Sequence, residues 1–171
     1  MYFSMIPYSF IYNCVFLCWR DVLWGYEHKL VGWEFVVGMA DFHVSNGSTK
    51  PLEVDLICLN DFDIQEIESG LYSLAGCEEN LSVVDSKTKW LFIVLKWLFE
   101  NKDAVADPLE MVELIYEDFD FFPEIESFVR YMPPTDGYKP EEHSLQQNLE
   151  RLFCNWHDFL EKTDSLLKVN A

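Results

Sequence analysis

The sequence predicts an all-α fold: one domain, residues 1–171, of about six to eight packed helices joined by short loops. Three observations carry that expectation. Apolar residues recur at steps of three and four along several stretches. Prolines stand where helices start or stop. One segment alone, 51–59, reads as readily as a strand. A chain of 171 residues is of one-domain size. Half of it is hydrophobic and 16% is aromatic, enough to build a core on large rings and to exclude general disorder.

From the N-terminus, Met1 to Trp19 carries no charge. We read this stretch as core-forming. No Lys or Arg precedes it, Pro7 interrupts it, Ser4, Ser9 and Asn13 dilute it, and no small-residue cleavage site is evident. The alternative is a targeting segment. "WRDVLWGYEHKL" and "WEFVVGMADFHV" form a helical hairpin broken around Gly32, and "SNGSTKP" is a turn cluster. "PLEVDLICL" is assigned to a helix because Pro51 suits a helix start. "DIQEIESGLYSLAG" is helical in period and stops at Gly76. "SKTKWLFIVLKWLFENK" is a central helix, apolar nearly all round, that Ser86 can cap. Asp107 caps a helix starting at Pro108, and Pro123 starts another, "PEIESFVRYM", ended by Pro133 and Pro134. "PPTDGYKPEEH" is a loop. Leu145, Leu149, Leu152, Trp156, Phe159 and Leu160 then mark a long amphipathic helix, about 142–168.

The net charge is −18, and residues 51–140 hold twenty acids against six bases. Such a field repels nucleic acid and anionic membrane and attracts basic proteins. It also keeps an aromatic-rich protein in solution. The five cysteines, Cys14, Cys18, Cys58, Cys77 and Cys154, make no CxxC pair and fit no zinc signature. They read as free thiols in a reducing compartment, with Cys14 and Cys18 on one face if that stretch is helical.

No catalytic motif is present: no HExxH, GxSxG, phosphate-binding loop or dinucleotide fingerprint. The close acid–histidine pairs, Asp41 with His43 and His157 with Asp158, point in different directions on a helix and make no ready dyad. Asp61, Asp63 and Glu66 lack the glycine and distal glutamate of a calcium loop. No catalytic residue, cofactor or metal is therefore expected. Trp and Tyr at 19, 24, 26 and 33 lack the Lys and Arg that a nucleic-acid binder sets beside its rings, so they are assigned to the core.

The informative stretch is 107–126, with eight acids and no base. On a helix Glu110, Glu113 and Glu117 form a carboxylate stripe, while Leu109, Val112 and Tyr116 form an apolar one. Like charges at that spacing each cost tenths of a kcal/mol. A basic partner would offset the loss and gain a steered encounter. The candidate contacts are Glu110, Glu113, Glu117, Asp118 and Asp120, with Tyr131 or Tyr138 as an aromatic anchor. Glu124 and Glu126 favour the start of the segment after Pro123 and are lesser candidates.

Two stretches carry a resemblance: "LCWRDVLWGYEHKLVGW", with Trp-Arg-Asp and Trp-Gly-Tyr, and "EDFDFFPEIESFVRYMPPTDGY", with Phe-Pro-Glu-Ile and Arg-Tyr-Met-Pro-Pro. Through them the chain resembles the bacterial family called domain of unknown function 2247, from Leu17 to about Leu160. The resemblance implies a small cytosolic protein and, as for some members, an antitoxin or immunity role against secreted LXG-type toxins, whose toxic domains include nucleases. It supplies no binding residues. The expected function is thus a cytoplasmic immunity protein that blocks a basic toxin domain, such as a nuclease, through an acidic surface. It would use neither nucleic acid nor membrane. The alternative is a non-catalytic adaptor or structural protein whose acids serve solubility.

Overall fold

A computed structural model describes residues 6–79 and 84–169. Among them the chain is all-α, with no strand. The described residues form eight α-helices: α1 (Tyr8–Cys14), α2 (Trp19–Glu27), α3 (Trp33–Ser45), α4 (Pro51–Ile57), α5 (Ile64–Gly76), α6 (Ser86–Glu100), α7 (Pro108–Asp118) and α8 (Leu145–Val169). Short 3-10 turns span Lys102–Ala104, Pro123–Phe128 and Pro140–Glu142. The chain divides into two compact units, Met1–Trp90 and Leu91–Ala171, and the division falls inside α6.

In the first unit α3 packs on α4 and α5, and α2 packs on α5. The apolar N-terminal stretch contributes to the core through Ile6, Ile11, Val15, Leu17 and Trp19, all buried. Residues 1–5 of that stretch lie outside the described residues. The Trp-Arg-Asp run explains itself residue by residue. Trp19 is buried and its indole Nε1 donates to Glu53 Oε1 at 2.7 Å. The backbone N–H groups of Trp19 and Arg20 donate to the two oxygens of Glu78, which so satisfies the amide end of α2. Arg20 Nε donates to the Ala75 carbonyl of α5.

Asp21 is buried and receives Lys89 Nζ at 2.6 Å, Ser86 Oγ at 2.7 Å and the Cys18 N–H at 3.0 Å. The Trp90 indole donates to the Asp21 carbonyl, and its ring lies over Gly25. A Cβ at Gly25 would sit 2.4 Å from Trp90 Cζ2, so the glycine of Trp-Gly-Tyr is where that ring comes to rest.

Two expectations need correcting here. Asp85, not Ser86, caps α6: its Oδ1 accepts the Thr88 N–H at 2.7 Å, while the Ser86 hydroxyl turns to Asp21. Cys14 ends α1 and Cys18 precedes α2, so the two do not share a helix face. None of the five cysteines is in a disulfide.

The second unit is built on α7, the Pro123–Phe128 turn and α8. Asp107 caps α7 as expected, accepting the N–H groups of Leu109 and Glu110. The expected helix from Pro123 to Met132 is instead a 3-10 turn that ends at Phe128. Its i,i+3 geometry eclipses Ile125 and Phe128, and both are fully buried. The Phe128 ring stacks on Trp156 of α8 with planes 5° apart, and Asn155 Nδ2 donates to the Ser127 carbonyl. The long helix begins at Leu145 rather than 142. Ser144 and Gln147 form a capping box there, each side chain meeting the other's backbone N–H.

Candidate functional site: an acidic and aromatic face on α7

One side of α7 belongs to the core through Leu109, Val112, Ile115 and Tyr116, all buried. The opposite side presents Glu110, Leu114, Glu117 and Asp118 to solvent, at the i, i+4, i+7, i+8 positions of one face. Glu113 lies at the edge of this face, and the structure neutralises it. Arg130 donates Nε to Glu113 Oε1 at 2.7 Å and Nη2 to Oε2 at 3.2 Å. Its Nη1 donates to Asp107 Oδ2 at 2.7 Å. Arg130 is the one basic residue in the sequence between Lys102 and Lys139, and it is committed to these two acids. Hydrogen bonds from Glu110 N–H and Arg130 hold the Asp107 carboxyl below its usual pKa, over the opposing effect of partial burial.

The helix ends in a Schellman motif. The Asp120 N–H donates to the Glu117 carbonyl and the Phe121 N–H to the Tyr116 carbonyl, and the Phe121 ring meets Tyr116 edge-on at 5.3 Å. Glycine is the usual residue at the turning position. Here Asp120 (φ 53°) and Phe121 (φ 56°) both adopt left-handed backbone, which non-glycine residues rarely do. The result is a tight projection that exposes Asp118, Asp120 and Phe121 together, with Phe121 57% exposed.

Tyr131 joins this face. It is exposed and its ring is tilted against Tyr116 at 6.3 Å. Partial burial and the nearby charges of Glu117 and Glu113 push its pKa up. Tyr138 does not join it. Its hydroxyl donates to Asn148 Oδ1, His143 stacks on its ring at 4.4 Å, and the Arg151 guanidinium covers it at 4.2 Å. Tyr138 holds the 133–143 loop to α8. Of the lesser candidates, Glu124 is exposed, whereas Glu126 accepts the Tyr116 hydroxyl at 2.9 Å.

The structure therefore gathers Glu110, Glu113, Glu117, Asp118 and Asp120 on α7 and its C-terminal turn, brings Tyr131 alongside through Tyr116, and sets Tyr138 apart. Sequence reasoning missed Leu114, Phe121 and the Arg130 clamp. In the sequence nothing distinguishes Phe121 from the neighbouring rings Phe119 and Phe122, and its exposure follows from its left-handed backbone. The clamp joins residues 17 and 23 apart in sequence, beyond any periodic pattern.

A second polar cluster, also missed, lies in the first unit. Glu53 is buried, accepts Trp19 Nε1 and the Ser48 hydroxyl, and is hydrogen-bonded to His43 Nδ1 at 3.0 Å. His43 pairs with Glu53 of α4, not with Asp41. The His157 ring is 3.9 Å from Asp158, beyond hydrogen-bond reach, and both are exposed. Among the described residues no group of three or more His, Cys, Asp or Glu side chains is arranged to hold a metal ion. None of their helices is long and apolar enough to cross a membrane.

The described residues define an all-helical protein. The chain belongs to the DUF2247 family, an uncharacterised protein family conserved in bacteria, whose model matches residues 8–164. No curated protein and no solved structure matches it.

Proposed function

We propose that this protein is a cytoplasmic immunity protein that binds and neutralises a cognate bacterial toxin whose contact surface is basic. One observation carries the reading: the exposed carboxylates of Glu110, Glu117, Asp118 and Asp120 lie together around exposed Leu114, Phe121 and Tyr131. A basic cleft evolved to grip polyanions attracts such a surface, and rings near the charges supply the desolvated anchors that dominate affinity.

The arrangement costs stability, which argues for a use. Glu117 and Asp118 occupy the last turn of α7, at the negative end of the helix dipole, and no basic residue shares that turn. Each such placement costs roughly 0.3–1 kcal/mol. Solubility alone would be served as well by acids spread elsewhere.

The test is growth rescue. The protein is co-expressed with candidate toxin domains, as wild type and as the double variant E110K/E117K. Rescue by the wild type and loss of rescue by a folded variant support the reading. Equal rescue by both removes this face from the mechanism. Absence of rescue by the wild type returns the protein to the adaptor class.

A further inference from the structure

The turn that ends α7 sorts two neighbouring rings. Phe119 is buried, at 2% exposure, while Phe121 projects into solvent at 57%. The projecting ring is nevertheless held in place. Its backbone N–H donates to the Tyr116 carbonyl at 2.8 Å, and the ring meets Tyr116 edge-on with planes 84° apart. Tyr116 is itself buried and tied through its hydroxyl to Glu126 at 2.9 Å. An aromatic side chain fixed before a partner arrives loses little entropy on binding. The fold gains little from it: glycine would close the same left-handed turn without the cost that a Cβ brings there.

The chain around the ring selects what can cover it. Glu117, Asp118 and Asp120 precede Phe121 and Glu124 follows it, and all four are exposed. No base stands between 107 and 126, and the next in sequence, Arg130, is committed to Glu113 and Asp107. The ring is thus bracketed along the chain by carboxylates on both sides. A phenyl group gains by leaving water for apolar walls, and carboxylates beside it gain by meeting cations. A projection fits a recess. The complementary surface is therefore an apolar socket bordered by positive charge.

We infer that Phe121 is the plug of the interface: it enters a concave apolar socket of the partner, bordered by lysines or arginines. This deepens the immunity reading and rests on it. Binding then has two parts. The carboxylates of α7 set the rate of encounter, and the desolvated Phe121 ring sets the rate of escape.

The test uses the full chain, isotopically labelled, and amino-substituted β-cyclodextrin, a ring sugar whose apolar cavity admits a phenyl group and whose rim carries ammonium groups. Neutral β-cyclodextrin offers the cavity without the charge, and spermine the charge without the cavity. Saturable NMR shifts of the Phe121 ring are expected with the cationic cyclodextrin, about fivefold weaker binding or less with the neutral one, and no ring shifts with spermine. F121G, which suits the left-handed backbone, should weaken the cationic cyclodextrin about tenfold or more. No Phe121 shifts at millimolar probe, equal binding of the two cyclodextrins, or equal binding by wild type and F121G overturns the inference. Its failure is distinct from failure of the function. Growth rescue kept by F121G and lost by E110K/E117K removes the plug and leaves the acidic face. A wild type that rescues nothing, yet binds the cationic cyclodextrin through Phe121, keeps the plug and removes the toxin.

Discussion

Arg130 grips Glu113 with two nitrogens, at 2.7 and 3.2 Å, and spends its third contact on the Asp107 cap. One guanidinium thus ties the start and the middle of α7 to the chain that follows the Pro123–Phe128 turn. Glu113 is thereby a structural acid as well as a candidate contact. Replacing Arg130 by Gln should lower stability by about 1 kcal/mol, the upper end for a half-exposed pair, read by urea denaturation. It also frees two carboxylates, so association with a cationic partner should speed up. A slower association would mean that Arg130 itself touches the partner.

Asp120 turns the chain in a conformation that suits glycine. Asp120→Gly removes that strain and should stabilise the fold by about 0.5–1 kcal/mol, while weakening partner binding through the lost carboxylate. Thermal melts and a binding isotherm on the same variant read the two effects. A variant stabilised with binding unchanged would place Asp120 outside the interface.

Asp21 holds three donors in a buried site, and the Lys89 ammonium is among them. Asp21→Ala strands that ammonium and should cost about 3–5 kcal/mol, the range for breaking one half of a buried pair. Chemical denaturation measures it. A loss below about 1 kcal/mol would show that Lys89 escapes to solvent.

Glu53 gives the first unit a dependence on acid. Burial opposes its charge, but hydrogen bonds from Ser48, Trp19 and His43 outweigh that and lower its pKa. A carboxyl with a lowered folded pKa contributes stability that is fully present above its unfolded pKa. The contribution is lost as pH falls through the folded value. The melting temperature should therefore drop below about pH 4.5, and E53Q should be less stable at neutral pH with a flatter acid limb. An acid limb identical to wild type would show that other carboxylates set it.

The sequence revealed this fold where local signals decide. Pro51, Asp107 with Pro108, and Gly76 mark helix ends where the structure has them. It failed where a tertiary contact overrides a local one. Ser86 is a sound cap in isolation, but the buried Asp21 claims its hydroxyl, and Asp85 takes the capping role. Pro123 begins a helical pattern, yet burying Ile125 and Phe128 together favours the tighter turn. The candidate site follows the same division. The stripe of Glu110, Glu113 and Glu117 was legible from period alone. Withdrawal of Tyr138 under Arg151, and exposure of Phe121 by a left-handed pair, depend on contacts and dihedrals that no spacing encodes.

The most direct measurement of the central claim is the association rate between this protein and the basic toxin domain proposed as its partner, across a salt series, for wild type and E110K/E117K. The account predicts a wild-type rate that falls steeply as salt rises, and a reversed variant about tenfold slower or more at low salt with little salt dependence, both proteins melting alike. A wild-type rate indifferent to salt and to both reversals would contradict it.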